Sequence, residues 1–168
     1  ARSPLAVRSS SKLEDSSYQP FAGVYSTYMI PLVENKDQML RMLGKAIKSV
    51  YASVFYSSSR TYIQTTANLL SEEKMAVVVQ SICGSEHNGL YYPMISGVGR
   101  SVNYYPIGSE KYEDGIVNIA FGLGKTVVDG GNTLRVVPKF PKKILQLSDP
   151  TLALRDTQKM IYALDLRP

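Results

Sequence analysis

The sequence predicts an α+β fold whose sheet is mainly antiparallel and flanked by helices. Three observations lead there. Short runs rich in Val, Ile, Thr and Tyr are spread over the whole chain. Residues 37–55 carry apolar side chains at three- and four-residue steps. Strands and helices follow one another without the regular strand–helix–strand alternation of a doubly wound sheet.

Leu5-Ala6-Val7 reads as a short strand that stops at Arg8-Ser9-Ser10-Ser11, and residues 9–20 read as a polar loop. Residues 21–32 read as a second strand. Pro31 confines it to an edge or an end, because proline has no amide to give to a neighbour. The helix over 37–55 lines up Leu40, Leu43, Ile47, Val50, Tyr51 and Val54, with Arg41, Lys45 and Lys48 forming a basic, solvated face. A second helix is expected over 59–69, capped by Ser57 or Ser58.

Residues 74–82, with their β-branched run, read as a central strand, and 83–88 as a turn. Residues 91–105 read as one or two strands interrupted by Ser96-Gly97-Val98-Gly99. Residues 115–121 form another strand, followed by a glycine-rich turn and a short, broken helix at 127–131. Residues 133–137 and 144–147 read as late strands, and 152–164 as a helix in a tail.

A length of 168 residues suits one domain or part of a larger one, and 44% apolar residues suffice for a core. The net charge of +5 fits a phosphate-bearing partner and equally a plain soluble domain. The cations are scattered and no nucleic-acid-reading motif occurs, so no nucleic acid is expected as a partner. No apolar run reaches the roughly 18 residues of a membrane span, so no membrane is expected either. Cys83 is the single cysteine, which excludes an intrachain disulfide and points to a reducing, cytoplasmic setting. The chain starts at Ala1 with a core-like strand within ten residues, which reads as a piece of a longer protein.

Gly124-Lys125-Thr126 imitates the end of a P-loop, but the first glycine of that motif would fall on Ile119. The loop therefore cannot wrap its amides around a phosphate in the P-loop manner. Other residues offer anion-binding chemistry. Arg8 sits at a strand end beside hydroxyls and can grip phosphate oxygens, or be an ordinary surface arginine. Gln80 ends an apolar strand, where backbone groups can pair with a base edge or simply enter a turn. Arg100, Lys125 and Arg135 lie beside strand ends or glycines, which allow close backbone approach or serve tight turns. Glu14 and Asp15 are adjacent, so their side chains diverge in an extended segment and read as a solvated turn. His87 lies in a polar segment with no metal-site spacing, and no catalytic triad can be assembled around it. Cys83 reads as a small packing residue.

Three segments in order resemble the nucleotide-binding domain of the phosphoenolpyruvate synthase and pyruvate phosphate dikinase family. The first is Val7-Arg8-Ser9-Ser10-Ser11, Glu14-Asp15, Phe21-Ala22-Gly23 and Thr27. The second is Val77-Val78-Val79-Gln80 with Ser96-Gly97-Val98, and the third Phe121-Gly122-Leu123-Gly124, Val127-Val128 and Gly130. The resemblance implies part of an ATP-grasp domain over residues 1–148, with 149–168 as a tail or linker helix. It implies ATP binding and transfer of a phosphoryl group to a histidine on a separate domain, with a pyruvate- or phosphoenolpyruvate-handling barrel as a further partner. By the same resemblance Arg8 holds ATP phosphates, Gln80, Ser81 and Ile82 line the adenine, and Arg135 supplies a downstream cation. Magnesium is implied as well, yet Lys125 stands where the family has a glutamate, and an ammonium cannot ligate a metal. A divergent, non-catalytic nucleotide-binding or regulatory module is the alternative expectation.

Overall fold

The computed structural model describes residues 3–11, 14, 25–65 and 74–167, the side chains of 62–65 excepted. The chain divides into two compact units, Ala1–Cys83 with Pro168, and Gly84–Arg167. Helices and antiparallel sheets are mixed throughout the described residues, the α+β class expected from the sequence.

In the first unit β1 (Leu5–Ser11) lies between β2 (Tyr28–Ile30) and β3 (Met75–Ser81), antiparallel to both. β1 runs through the three serines that were expected to open a loop. The carboxylate of Glu14 explains the extension, accepting from Ser9 Oγ (2.8 Å) and from the Ser11 amide (3.0 Å). Ser9 and Ser11 are thereby satisfied although each is only 3% exposed. Glu14 is thus a strand-end clamp rather than a solvated turn residue.

β1, not β3, is the central strand of this sheet; among the described residues β3 pairs only with β1. The β-branched run of β3 had signalled a central strand, but Val79 is 44% exposed. The expected strand at 21–32 contracts to β2, just ahead of Pro31, and residues 21–24 lie outside the described set.

α1 (Lys36–Ser53) begins where the Asn35 side chain accepts from the amides of Asp37 (2.9 Å) and Gln38 (3.1 Å). It ends where Ser53 Oγ turns back onto the Val50 carbonyl (2.7 Å). Val50 and Ala46 pack on Val7 and Ile30, with Met39, Met42, Leu43 and Ile47 around them. Leu40 and Tyr51, placed on the apolar stripe by spacing, are exposed instead; the buried arc is centred on Met39, Leu43, Ala46 and Val50. α2 (Ser57–Thr65) starts two residues earlier than expected, and the remainder of the predicted helix lies outside the described residues.

In the second unit, residues 83–88 are not simply a turn. β4 (Ser85–His87) and β5 (Leu90–Tyr92) form a hairpin around Asn88-Gly89. Both turn residues have positive φ, 52° and 79°, the tight connection that Asn-Gly favours. β9 (Leu164–Asp165) adds to the other side of β5.

A second sheet has the order β6 (Ser96–Arg100), β7 (Ile116–Ala120), β8 (Leu134–Val136). Ser96-Gly97-Val98-Gly99 is the strand β6 itself, not an interruption. A Cβ on Gly97 would meet the Asn118 carbonyl oxygen at 2.7 Å, so glycine lets β6 approach β7 closely.

The expected strand at 144–147 is a 3₁₀ turn, Leu145–Leu147. Gln146 replaces a strand partner with its side chain, accepting from the Arg135 amide (2.9 Å) and donating to the Thr133 carbonyl (2.6 Å). The terminal helix is shorter than expected: α4 (Pro150–Asp156), capped by Asp149, with Pro150 in its first turn. The chain then extends through residues 157–163 to β9 and packs within the second unit.

Candidate functional site

The register of the first sheet brings two of the sequence-nominated residues together. Val7 is fully buried against α1, so Arg8 points to the opposite face. Arg8 stands across from Val78, and Ala6 across from Gln80. Arg8 and Gln80 are therefore diagonal neighbours on one face, among the small side chains Ala6, Ser10, Ala76 and Val78. Both are exposed. Ser81 continues the edge strand, and Ile82, 9% exposed, closes it by donating its amide to the Pro4 carbonyl (2.9 Å).

In the second unit the pairs Arg100↔Ile116 and Asn118↔Arg135 place both arginines on the same face of the β6-β7-β8 sheet. Arg100 is exposed at the end of β6. The guanidinium of Arg135 is engaged: Nη1 donates to Glu110 Oε1 (3.0 Å) and Nη2 to Glu110 Oε2 (2.6 Å), Asn103 Oδ1 (3.1 Å) and the Tyr105 carbonyl (3.0 Å). Arg135 holds the Glu110 carboxyl down at about 2, from a usual 4.5. A cleft of about 360 Å³ beside Arg135 is lined by Asn118, Asn132, Thr133 and Gln146.

Lys125 opens α3 (Lys125–Val128), two residues ahead of the start read from the sequence. Its ammonium sits 2.7 Å from Asp129 Oδ2 and 5.7 Å from the centre of the Tyr162 ring. The Asp129 carboxylate, hydrogen-bonded to it, raises the pKa of Lys125 above its ordinary value. Among the described residues no group of three or more His, Cys, Asp or Glu could hold a metal ion. The acid nearest Lys125 is already neutralised, so the described donor set around the glycine-rich turn does not fit magnesium.

The turn itself is gripped by a segment that sequence reasoning had placed in a tail helix. Gln158 accepts from the Phe121 amide (2.7 Å) and donates to the Phe121 carbonyl (2.8 Å) and to its own segment at Met160 (2.7 Å). The Leu123 amide donates to the Tyr162 carbonyl (2.8 Å), and Gly122 forms a parallel bridge with Tyr162. Gln158, Tyr162, Glu110 and Asn103 were all missed, because each acts on a partner far away in sequence. Only Asn88-Gly89 offered a local signal that could have been read.

The sequence matches a known domain family over most of its length. The family model described as pyruvate phosphate dikinase, AMP/ATP-binding domain, matches residues 1–156, and the chain belongs to this family. An uncharacterized phosphotransferase, YvkC, of Bacillus subtilis is 30% identical over 129 residues, 77% of this chain. A probable phosphoenolpyruvate synthase of Methanocaldococcus jannaschii is 28% identical over 158 residues, 91% of this chain. The chain spans only 14% and 11% of the lengths of these two relatives. Among the described residues no helix is long and apolar enough to cross a membrane.

Proposed function

We propose that this chain is the nucleotide-binding part of a phosphotransferase resembling phosphoenolpyruvate synthase and pyruvate phosphate dikinase. In this reading a phosphoryl group of ATP passes to a histidine on a domain outside the chain, and a barrel domain handles phosphoenolpyruvate or pyruvate. The protein works in the cytoplasm, and the domain is of ATP-grasp type.

The observation that carries the reading is the shared open face of Arg8 and Gln80, within residues matched by an AMP/ATP-binding family. Arg8 presents a planar fork of donors suited to phosphate oxygens. Gln80 and Ser81 lie along β3, which among the described residues pairs only with β1, so its other side can take an adenine edge, and the nearly buried Ile82 follows at its end. In the second unit Arg135 is paired with Glu110 and Lys125 with Asp129, while Arg100 is exposed. The chemistry asked of the protein is positioning and charge neutralisation.

Two measurements test the reading. The chain should bind ATP, and the full-length protein incubated with γ-labelled ATP should retain label on a histidine. No ATP binding sinks the proposal; binding with no label in the full-length protein sinks the transfer step.

One observation favours a second reading, a non-catalytic binding module: Lys125 is paired with Asp129 where the resembling family carries a glutamate. Lys125→Glu discriminates. If magnesium-dependent ATP affinity arises only in that variant, the natural chain is a divergent binder.

A further inference from the structure

The solvent face of α1 carries two strips of unlike chemistry. Leu40, Gly44 and Tyr51 fall on one side of it at helical spacing. Leu40 is 68% and Tyr51 48% exposed. Arg41, Lys45 and Lys48 form the neighbouring strip, and none of them makes an ion pair or hydrogen bond among the described residues. The helix has a carboxylate in its first turn, Asp37, and none beyond it. An open groove of about 580 Å³ takes its lining from both strips, including Leu40, Arg41, Gly44, Lys45 and Lys48. Gly44 is out of place in a helix interior, which glycine weakens relative to alanine. A Cβ at Gly44 would meet nothing within 4 Å, so the packing of the core does not require glycine there. What glycine provides is a notch beside Leu40 that a second element can approach closely.

We infer that this face of α1 docks an acidic amphipathic helix of the same polypeptide, from outside these 168 residues. An apolar side chain of that helix fills the notch at Gly44 against Leu40 and Tyr51, and its carboxylates face Arg41, Lys45 and Lys48. Charge selects the occupant. Three unpaired cations against Asp37 leave the face positive, so an acidic segment complements it, while a second copy offering the same face meets like charge. The notch and the apolar strip speak against a bare polyanion, which would use the cations alone. Size selects a tethered source. From Leu40 to Tyr51 the face is about 17 Å long. One helix laid on it buries on the order of 500 Å², below the roughly 1,200 Å² of a stable complex between separate proteins. Tethering makes up the shortfall through a raised effective concentration. The two relatives have the length to supply such a segment, since the chain covers only 14% and 11% of them. α1 packs on the sheet face opposite Arg8, so a helix docked on it leaves the face of Arg8 and Gln80 open. The inference rests on the chain being part of a longer protein, as proposed above, and not on nucleotide binding.

The test is the rate at which acetic anhydride acetylates Lys45 and Lys48, read by mass spectrometry in the full-length protein and in the 168-residue chain. Both lysines should react about fivefold more slowly in the full-length protein, the factor for a face docked about four-fifths of the time. Sodium chloride at about 1 M should bring the two rates together, because it screens pairs of cation and carboxylate. Gly44→Gln fills the notch with a good helix former. The melting temperature of the 168-residue chain should stay level or rise in that variant, and the protection in the full-length protein should disappear. Equal rates in the two parent proteins overturn the inference. Protection that survives Gly44→Gln or high salt overturns it too, because the cover would then use neither the notch nor the cations. Protection that grows with the concentration of the 168-residue chain would make the occupant a second copy, and protection that needs an added oligonucleotide would make it a nucleic acid; both overturn the inference. ATP binding with unprotected lysines removes this inference alone, and protection without ATP binding removes the nucleotide reading alone.

Discussion

Arg135 and Glu110 form a two-pronged ion pair, with Nη1 3.0 Å from Oε1 and Nη2 2.6 Å from Oε2. Their side chains are only 22% and 11% exposed, and the fully buried Asn103 carboxamide bridges them, donating to Glu110 and accepting from Arg135. The Glu110 carboxylate also accepts from the Ile107 amide (3.0 Å). A strand residue thereby fixes the excursion between β6 and β7, and Tyr104 and Tyr105 remain exposed on a loop that is internally braced.

The pair makes the second unit acid-sensitive in a defined window. Glu110 titrates near 2 in the folded chain, against a usual 4.5. A carboxyl whose pKa falls on folding stabilises the folded state fully above its unfolded value, and that contribution is lost as pH drops toward the folded value. Stability should therefore decline between about pH 4.5 and pH 2, by on the order of 2 kcal/mol from this group. Chemical denaturation at a series of pH values checks it. Glu110→Gln should flatten the slope in that window; an unchanged slope would show that the pair is not formed in solution.

Gly122→Ala should destabilise the second unit by at least about 2 kcal/mol, combining positive-φ strain with a collision against Ile161 and Tyr162. Gly108→Ala serves as the comparison. Its φ is 61°, but a Cβ there meets nothing within 4 Å, so only the backbone strain, about 1 kcal/mol, should appear. Thermal melts of the two variants should differ accordingly, and equal losses would remove Ile161 and Tyr162 from their place over the turn.

Glu14→Ala should cost about 1–3 kcal/mol, because Ser9 Oγ and the Ser11 amide both lose their acceptor while the serines stay buried. Glu14→Gln keeps an acceptor for one of them and should recover part of the loss. Urea midpoints of the two variants are the measurement. If both match the parent, the clamp contributes nothing.

Much of the fold was legible because local signals agreed with it. The helix at α1 followed from its apolar spacing, and β7 was read at 115–121 ahead of the glycine-rich turn. What was misread had a common physical cause. Ser9 and Ser11 look like loop residues until a carboxylate reaches them, and Gly97 looks like a break until a neighbouring strand requires its missing side chain. Leu145-Gln146-Leu147 has strand composition, but the Gln146 side chain supplies the strand-like bonds itself. The position of Arg8 relative to Gln80 depends on register, which no single segment encodes. Lys125 was recognised as a departure, but the Asp129 and Tyr162 that hold it were not.

The register of β1 against β3 has a direct functional consequence. Arg8 and Gln80 are exposed and make no contribution to the core on the opposite face of the sheet, so replacing them should leave the melting temperature within a degree or two. Arg8→Ala should weaken ATP by about tenfold or more and should make the remaining binding less sensitive to salt, since a charge-assisted contact is gone. Arg8→Lys should recover little, because a point charge does not reproduce the two-pronged grip. On the proposed reading Gln80 serves the base, so Gln80→Ala should weaken ATP and adenosine to the same degree. With the two residues one diagonal step apart, the double variant should show an interaction energy on the order of 0.5–1 kcal/mol when ATP is the ligand and none with adenosine. Additivity with ATP would mean that the two side chains do not share a nucleotide, and the open face of the first sheet would lose its claim to be the site.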